Sequence, residues 1–483
     1  MSRPASWPAG GPEPDRIRAS VVLGILIAVT AASKLALAWR FQGFLTGDDL
    51  EIVQTAAKYA LGVHYAPWEL RCLFHPIVLV WPAVRLAALA GVRDPGVVAW
   101  VASFPNVAVT SGGIPLLYAL ARRWGWTVRA SLAAAFLYAF AWMPFAYGAT
   151  PYPRPMSATA LIAAFWLAST PSRAAAPQLA AGALAAAAFA IRWSEGVVLV
   201  PLLAWSVWKF RSIPRVLQIA AGFGAGALIF VGAIDEMTWG APFASLRSFV
   251  RIMWLEIPAS RLAIEEPFPW YLRTPLQWAG PLLLLLAVAG WKELRTRVPV
   301  AIFLAIVLGM SAFAHKEWRY LQCAIPFLCL AAAAGWERIV RSGHRRLAAA
   351  ALLLCIPYAA NRSVVLLSDK TSGEIEATRR ILAMRPMPRV LAFEQTWAYG
   401  ERLYFGNAVE IREIELHQPL QPPAIRRAAW GADIVGVYSR HLDRAGLAEL
   451  ASLGFRPIVA IKSDKSYECL IFGRGEFAPR RTP

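Results

Sequence analysis

The chain has 483 residues, of which 58% are apolar and 16% charged, and its mean hydropathy is +0.47. That apolar content exceeds what a soluble domain needs for its core and excludes an ordinary soluble globular protein. The formal charge of +19 does not point to nucleic acid, because Lys and Arg cluster in short loops between apolar runs, where they set membrane orientation.

In chain order, residues 1–18 read as a cytoplasmic tail. The apolar segment Ser20–Trp39 follows a basic leader (Arg3, Arg16, Arg18) and is too long for a signal-peptide core, so it is predicted to stay as a helix. Lys34 within it is expected to snorkel to the outer interface. Further apolar runs predict spans at 19–39, 96–121, 130–147, 156–170, 178–193, 195–208, 216–233, 277–290, 298–314, 320–336 and 347–361. Four loops are strongly basic, Arg122 to Arg129, Lys209 to Arg215, Lys292 to Arg297 and Arg338 to Arg346, and the positive-inside rule assigns all four to the cytoplasm. Leu73 to Gly91 is apolar enough to cross, but a crossing there would move the Arg122 loop outside, so a partial or interfacial helix is expected. The pattern is that of an α-helical polytopic membrane protein with about 11–13 transmembrane helices.

From residue 362 the composition becomes globular. Strands are predicted at 389–395, 408–416, 433–439, 455–462 and 467–474, with helices at 374–385, 423–430 and 442–453. The expected division is therefore 1–18, a membrane domain 19–361 whose first external loop is 40–72, and a small extracytoplasmic α/β domain 362–483. That domain has no chemical motif of its own and could bind an acceptor or act as a structural lid.

The topology gathers the polar clusters on one membrane face. Asp48 and Asp49 follow the first helix directly; a carboxylate there could act as a general base or cap a helix over Leu50 to Leu61. Trp68, Glu69 and Arg71 lie in the same loop, with Trp68 either a sugar-stacking ring or an interfacial anchor. Arg154 and Arg192 reach that face between spans. Asp235 opens a long loop that ends at Trp270 and Tyr271, suited to sugars, acyl chains or an interfacial belt. His315, Lys316, Glu317 and Arg319 form the densest cluster. Its cations sit at the depth of a lipid-linked phosphate, which they could bind and stabilise as it leaves; contact with lipid headgroups is the alternative. No GxxxxGK[ST], GxGxxG or HExxH occurs, so nucleotide and zincin sites lack support. Cys72, Cys323, Cys329, Cys355 and Cys469 form no CxxC pair and no even disulfide set.

HKEWRYL at 315–321 resembles the HKEeRFl motif of the glycosyltransferase family 22 mannosyltransferases, which include the GPI mannosyltransferases. The resemblance continues in order through Asp48-Asp49, Gly62, PWELR at 67–71, Arg154 and Ser157 in YPRPMS, Arg192, Asp235 with Trp239-Gly240, and PFPWYL ending at Leu272. Departures are Asp49 where the family has Glu, no Thr before Trp68-Glu69, and loss of the Thr and Asn of the arginine motif. The resemblance implies a GT-C fold and inverting transfer of mannose from a polyprenyl-phosphate donor to a glycan or glycolipid acceptor, on the non-cytoplasmic face of an inner, plasma or ER-type membrane. It implies Asp48 as the general base, with Asp49 positioning it or sharing the role. Lys316, Arg319, His315, Arg154 and Arg192 would hold the donor phosphate, and Trp68, Glu69, Arg71, Asp235, Trp270, Tyr271 and Glu317 the sugar or acceptor. No cofactor or metal ligand set is expected, though a divalent metal stays open, and the partners are membrane lipids, donor and acceptor, without nucleic acid. Another sugar, such as aminoarabinose moved to lipid A or a sugar moved to protein, is the nearer alternative. A transporter is the more distant one, disfavoured because charges other than Lys34 sit near helix ends.

Overall fold

The structure, a computed structural model, describes residues 13–41, 44–172, 174–256, 266–313, 315–415, 419–462 and 467–477. Its contacts divide it into two compact units that interleave along the chain: residues 1–36, 68–78 and 103–363, and residues 37–67, 79–102 and 364–483.

The first unit is a helical bundle. Across the whole chain, five helices among the described residues are long and apolar enough to cross a membrane: Ile17–Phe41, Pro95–Arg123, Ile213–Trp239, Leu294–Ser311 and Arg345–Leu367. The other predicted spans are helical but shorter or interrupted. The stretch 130–147 is Val128–Ala139 followed by Trp142–Tyr147. The stretch 195–208 is a 3-10 turn, Trp193–Val198, and then Leu199–Phe210. The stretch 320–336 is a turn over Trp318–Cys323 and then Ile325–Arg341, with Pro326 at its start, where the missing N–H costs nothing. The ambiguous segment 73–91 forms a 15-residue apolar helix, His75–Leu89, about 22 Å long at 1.5 Å per residue and short for a ~30 Å hydrocarbon layer.

Small residues set the closest helix contacts, as packing in lipid requires. Gly182 on Ala176–Ile191 and Gly222 on Ile213–Ala227 face each other's helix backbone: a side chain on Gly222 would strike Leu179, and one on Gly182 would strike Ile219. Gly290 and Gly335 do the same for Pro281–Gly290 against Ile325–Arg341. Lys34 corrects an expectation. It does not snorkel: its ammonium is buried and donates to Thr110 Oγ1 at 2.8 Å, beside Gly148, where a side chain would meet both groups. A buried hydroxyl within reach outweighs a distant interface.

The second unit is built on a five-stranded sheet of order β2-β1-β3-β5-β4, with β1 Val390–Phe393, β2 Glu410–Glu413, β3 Ile434–Tyr438, β4 Arg456–Lys462 and β5 Glu468–Gly473. Strand β1 is parallel to β2 and β3, while β5 runs antiparallel to β3 and β4. The all-apolar β3, IVGVY, is central and wholly buried, as a strand covered on both faces should be. On one face Val435, Val437 and Phe472 pack with Ile425 and Leu450 of the helices Pro422–Ala429 and Arg444–Ser452. On the other, Leu391, Phe393, Ile434 and Ile471 share a core with Leu50, Val53 and Ala57 of the helix Gly47–Leu61. Gln54 donates to Glu401 at 2.9 Å, and Asn407 clasps the helix end through Gly62 O and His64 N.

Two features near the boundaries differ from the sequence reading. The division between the units falls at 363/364, two residues beyond the predicted 361/362, but it lies inside one 38-residue helix, Arg345–Leu382, so the predicted helix 374–385 is its continuation; the composition turns polar there, but no proline intervenes before Pro386 to stop the helix. The first-loop segment 40–67, assigned from sequence to the membrane domain, falls in the unit that contains the sheet, because the apolar face of Gly47–Leu61 is buried in that core.

Gly222→Val should destabilise the bundle by about 1–3 kcal/mol through overpacking. Gly224→Val, which adds a side chain in open space, should leave the melting midpoint of the detergent-purified protein unchanged. Equal midpoints for both variants would remove the close helix contact.

Candidate active site

The site is built where the bundle helices are interrupted. In the first unit, Arg154 begins the helix Arg154–Ala168, while Glu195 and Arg319 sit in the two 3-10 turns. Arg154 is 4% exposed. Its Nη1 reaches Ser194 Oγ and Glu195 Oε1, both at 3.1 Å, and its guanidinium lies 3.9 Å from the centre of the Tyr320 ring. Arg319 and Arg192 both lie over Tyr152, at 5.3 and 5.8 Å. Two tyrosines therefore hold three guanidinium groups together, a cation–π arrangement that is stronger where water is scarce.

Glu317 ties the loop to this cluster. Its carboxylate pairs with Arg319 and lies 3.3 Å from His315 Nε2, and its carbonyl accepts from Tyr271 at 3.1 Å. Burial alone would push the Glu317 carboxyl up, but the His315 hydrogen bond and the Arg319 charge outweigh it and hold the group below the usual carboxylate range. Trp270 stacks on Trp318, with centroids 6.1 Å apart.

Other candidates have different surroundings. Lys316 donates to the carbonyls of Glu266 at 2.7 Å and Phe313 at 2.6 Å, a clasp on the loop backbone. Glu69 is half exposed and pairs with Arg251 at 2.6 Å. Arg71 lies over Trp68 at 5.6 Å, and its carbonyl accepts from Trp239. Asp235 receives the backbone N–H and hydroxyl of Ser245 at 2.9 and 2.6 Å, so it anchors the start of the next helix, Ala244–Val250. Asp48 and Asp49 belong to the second unit, in the first turn of Gly47–Leu61. Asp49 is buried and accepts from Leu45 N at 3.1 Å and Thr46 Oγ1 at 3.2 Å; Asp48 is half-buried.

Sequence reasoning missed Tyr152 and Tyr320 as members of this cluster, although each lies inside a motif quoted for its cations, and it did not count Glu195, three residues after Arg192, among the site candidates. It also missed Asn106, whose amide donates to the carbonyls of Tyr147, Thr150 and Tyr152. A lone amide in an apolar span was the available signal, since burying it without partners is costly. Among the described residues no three His, Cys, Asp or Glu side chains gather where they could hold a metal ion.

Residues 49–374 match the model of the Alg9-like mannosyltransferase family. The chain belongs to this family. The membrane glycosyltransferase resembles in structure ArnT from Cupriavidus metallidurans bound to undecaprenyl phosphate, with a TM-score of 0.64 and 12% identity over 94% of this chain and 98% of that one. The apo state of the same ArnT gives a TM-score of 0.62 at 13% identity, with the same coverage. These likenesses show the GT-C fold. No curated protein sequence matches the chain. It is a multi-pass membrane glycosyltransferase with a small C-terminal sheet domain.

Glu195→Ala would leave the Arg154 charge buried without its carboxylate and should cost about 3–5 kcal/mol, read as a lowered unfolding midpoint in detergent. Glu317 has a lowered folded pKa, so its pairing stabilises the protein fully above the unfolded value near 4.3 and is lost as pH falls through the folded value. The midpoint difference between wild type and Glu317→Gln should be present at neutral pH and shrink below about pH 4.3. A difference that grows with acid would contradict the assignment.

Proposed function

We propose that this enzyme transfers mannose from a polyprenyl-phosphate carrier to a hydroxyl of a glycan or glycolipid, with inversion, on the non-cytoplasmic face of the membrane. The observation that carries the reading is the cluster of Arg154, Arg192 and Arg319 around Tyr152 and Tyr320, in a chain of a mannosyltransferase family. The undecaprenyl phosphate bound by the similarly folded ArnT supports a lipid phosphate as the leaving group.

In this reaction the acceptor hydroxyl gives its proton to the Asp48 carboxylate as its oxygen attacks the anomeric carbon. The bond from that carbon to the phosphate oxygen breaks on the opposite side, and the electron pair leaves with the lipid phosphate. An anionic leaving group needs cations and no acid. Arg154 pairs with Glu195 and Arg319 with Glu317, and the guanidinium groups of this cluster are the cations proposed to face the departing phosphate. His315 holds Glu317, and Lys316 holds the loop. Asp49, with both oxygens engaged locally, supports a positioning role and leaves Asp48 as the base. Trp270, Tyr271, Trp68, Glu69 and Arg71 remain the proposed sugar and acceptor contacts.

Purified enzyme supplied with radiolabelled polyprenyl-phosphate mannose and a panel of glycan acceptors should move label into one of them. Asp48→Asn should lower transfer by roughly 10²–10⁴-fold, the range for loss of general-base catalysis, with an unchanged melting midpoint. Full activity in Asp48→Asn would overturn the base, and transfer from a different lipid-linked sugar alone would overturn the mannose assignment.

A further inference from the structure

The helices that carry the proposed site also carry a second constellation at their other ends. Phe104–Arg123 has Asn106 at one end and Arg122 and Arg123 at the other, sixteen residues or about 24 Å apart at 1.5 Å per residue, close to the ~30 Å of a hydrocarbon core. Arg154–Ala168 runs from Arg154 to Ser169, and Leu199–Phe210 ends at Lys209 and Phe210 with Glu195 just before its start. Arg297–Ser311 begins beside Arg295 and ends shortly before His315. At this basic end, within the first unit, a cleft of about 860 Å³ is lined by Arg122, Arg123, Trp124, Trp205, Lys209 and Arg295 among others, and among the described residues no carboxylate lines it.

The walls are fixed before any ligand arrives. The Trp124 indole donates to Ser169 Oγ at 2.9 Å and lies 5.7 Å from Trp205. Arg123 stacks on Trp166 at 4.4 Å and donates to Trp166 O and Thr170 Oγ1 at 2.7 and 2.8 Å. Among the described residues no carboxylate is ion-paired with Arg122, Arg123 or Arg295. Two acids close by are engaged elsewhere: Glu337 accepts from Thr127 at the rim and faces Arg341 at 3.9 Å, and Glu293, next to Leu294, pairs with Arg341 at 3.2 Å. Basic loops on a flat membrane surface only orient the protein. Four cations in a concave, tryptophan-walled cleft concentrate positive potential next to low-dielectric walls and suit an amphiphile with an anionic head.

We propose that this cleft is a second lipid site, at the end of the bundle opposite the proposed transfer site, holding the phosphate headgroup of a membrane lipid between Arg122, Lys209 and Arg295, with the upper part of its chain against Trp205 and Trp208. The cations supply the head contacts; the indoles exclude a soluble anion as the preferred occupant, because inorganic phosphate gains nothing from an aromatic wall.

The test follows thermal unfolding of the full-length protein in a neutral detergent as lipid is added. Phosphatidylglycerol, whose anionic phosphate head is not the carrier of the proposed transfer, should raise the midpoint of wild type; phosphatidylcholine should not. Lys209→Gln/Arg295→Gln should need roughly 30-fold more lipid for the same shift, the loss of two headgroup contacts. Lys292→Gln/Arg346→Gln, which removes two exposed cations on the basic loops outside the cleft, should behave as wild type. If the double variant folds poorly, Arg295→Gln alone, judged by the lipid retained in native mass spectrometry, gives the same reading. An equal response of both double variants, a full shift with phosphatidylcholine, or a full shift with inorganic phosphate alone would each overturn the proposal.

Discussion

A guanidinium group buried in an apolar bundle governs the rest of the first unit. An unpaired charge in hydrocarbon costs several kcal/mol, so Arg154 can stand at the start of its helix only with Glu195, Ser194 and the Tyr320 ring around it. Those partners come from outside regular α-helix: Ser194 and Glu195 from one 3-10 turn and Tyr320 from another. The short spans that look inadequate for a bilayer are short for that reason, because part of each crossing is given over to turns that present polar groups. Irregular backbone at membrane depth is tolerated only where protein groups satisfy it.

The aromatic side of the cluster is held from behind. Lys34 donates to Thr110, Thr110 to the Asn106 carbonyl at 2.7 Å, and the Asn106 amide to the backbone of Tyr147, Thr150 and Tyr152. This chain fixes the loop that carries Tyr152, the ring under both Arg192 and Arg319. Three polar residues, Lys34, Thr110 and Asn106, thus serve the geometry of cations far along the sequence. Lysine suits the outermost position because its three donors can rotate to meet fixed acceptors.

Hydrophobic periodicity carried much of the fold. The polytopic class and the strands among the described residues were legible because each is a local pattern. The Arg154–Glu195 pair was half legible: Arg154 stood in a recognised motif and Glu195 lies three residues after Arg192, but a salt bridge between positions 41 apart leaves no local trace. Lys34 was misread because a long basic side chain near a helix end usually snorkels, and its buried acceptor lies 76 residues away. The predicted span 347–361 and the predicted helix 374–385 are one helix, Arg345–Leu382, because hydropathy changes near 361 while helix propensity does not. The kinship of the first-loop helix with the sheet was invisible for a related reason, since its apolar face could equally have been read as facing lipid.

That kinship bears on what the C-terminal sheet is for. The helix Gly47–Leu61 begins with Thr46 and Asp49 closing its first turn and then buries Leu50, Val53, Ala56 and Ala57 in the core shared with β1, β3 and β5. A half-buried carboxylate at position 48 is therefore mounted on an element whose entire inward face is the wall of a folded domain, and Gln54 and Gly62 add polar ties to Glu401 and Asn407. A loop of two dozen residues left to itself would hold a side chain poorly, because its ordering entropy would oppose any fixed geometry. Packing the loop as a helix on a sheet removes that freedom during folding, before any substrate binds. On this argument the sheet needs no chemical motif of its own: its contribution to the proposed reaction is the rigidity it confers on the helix that carries Asp48.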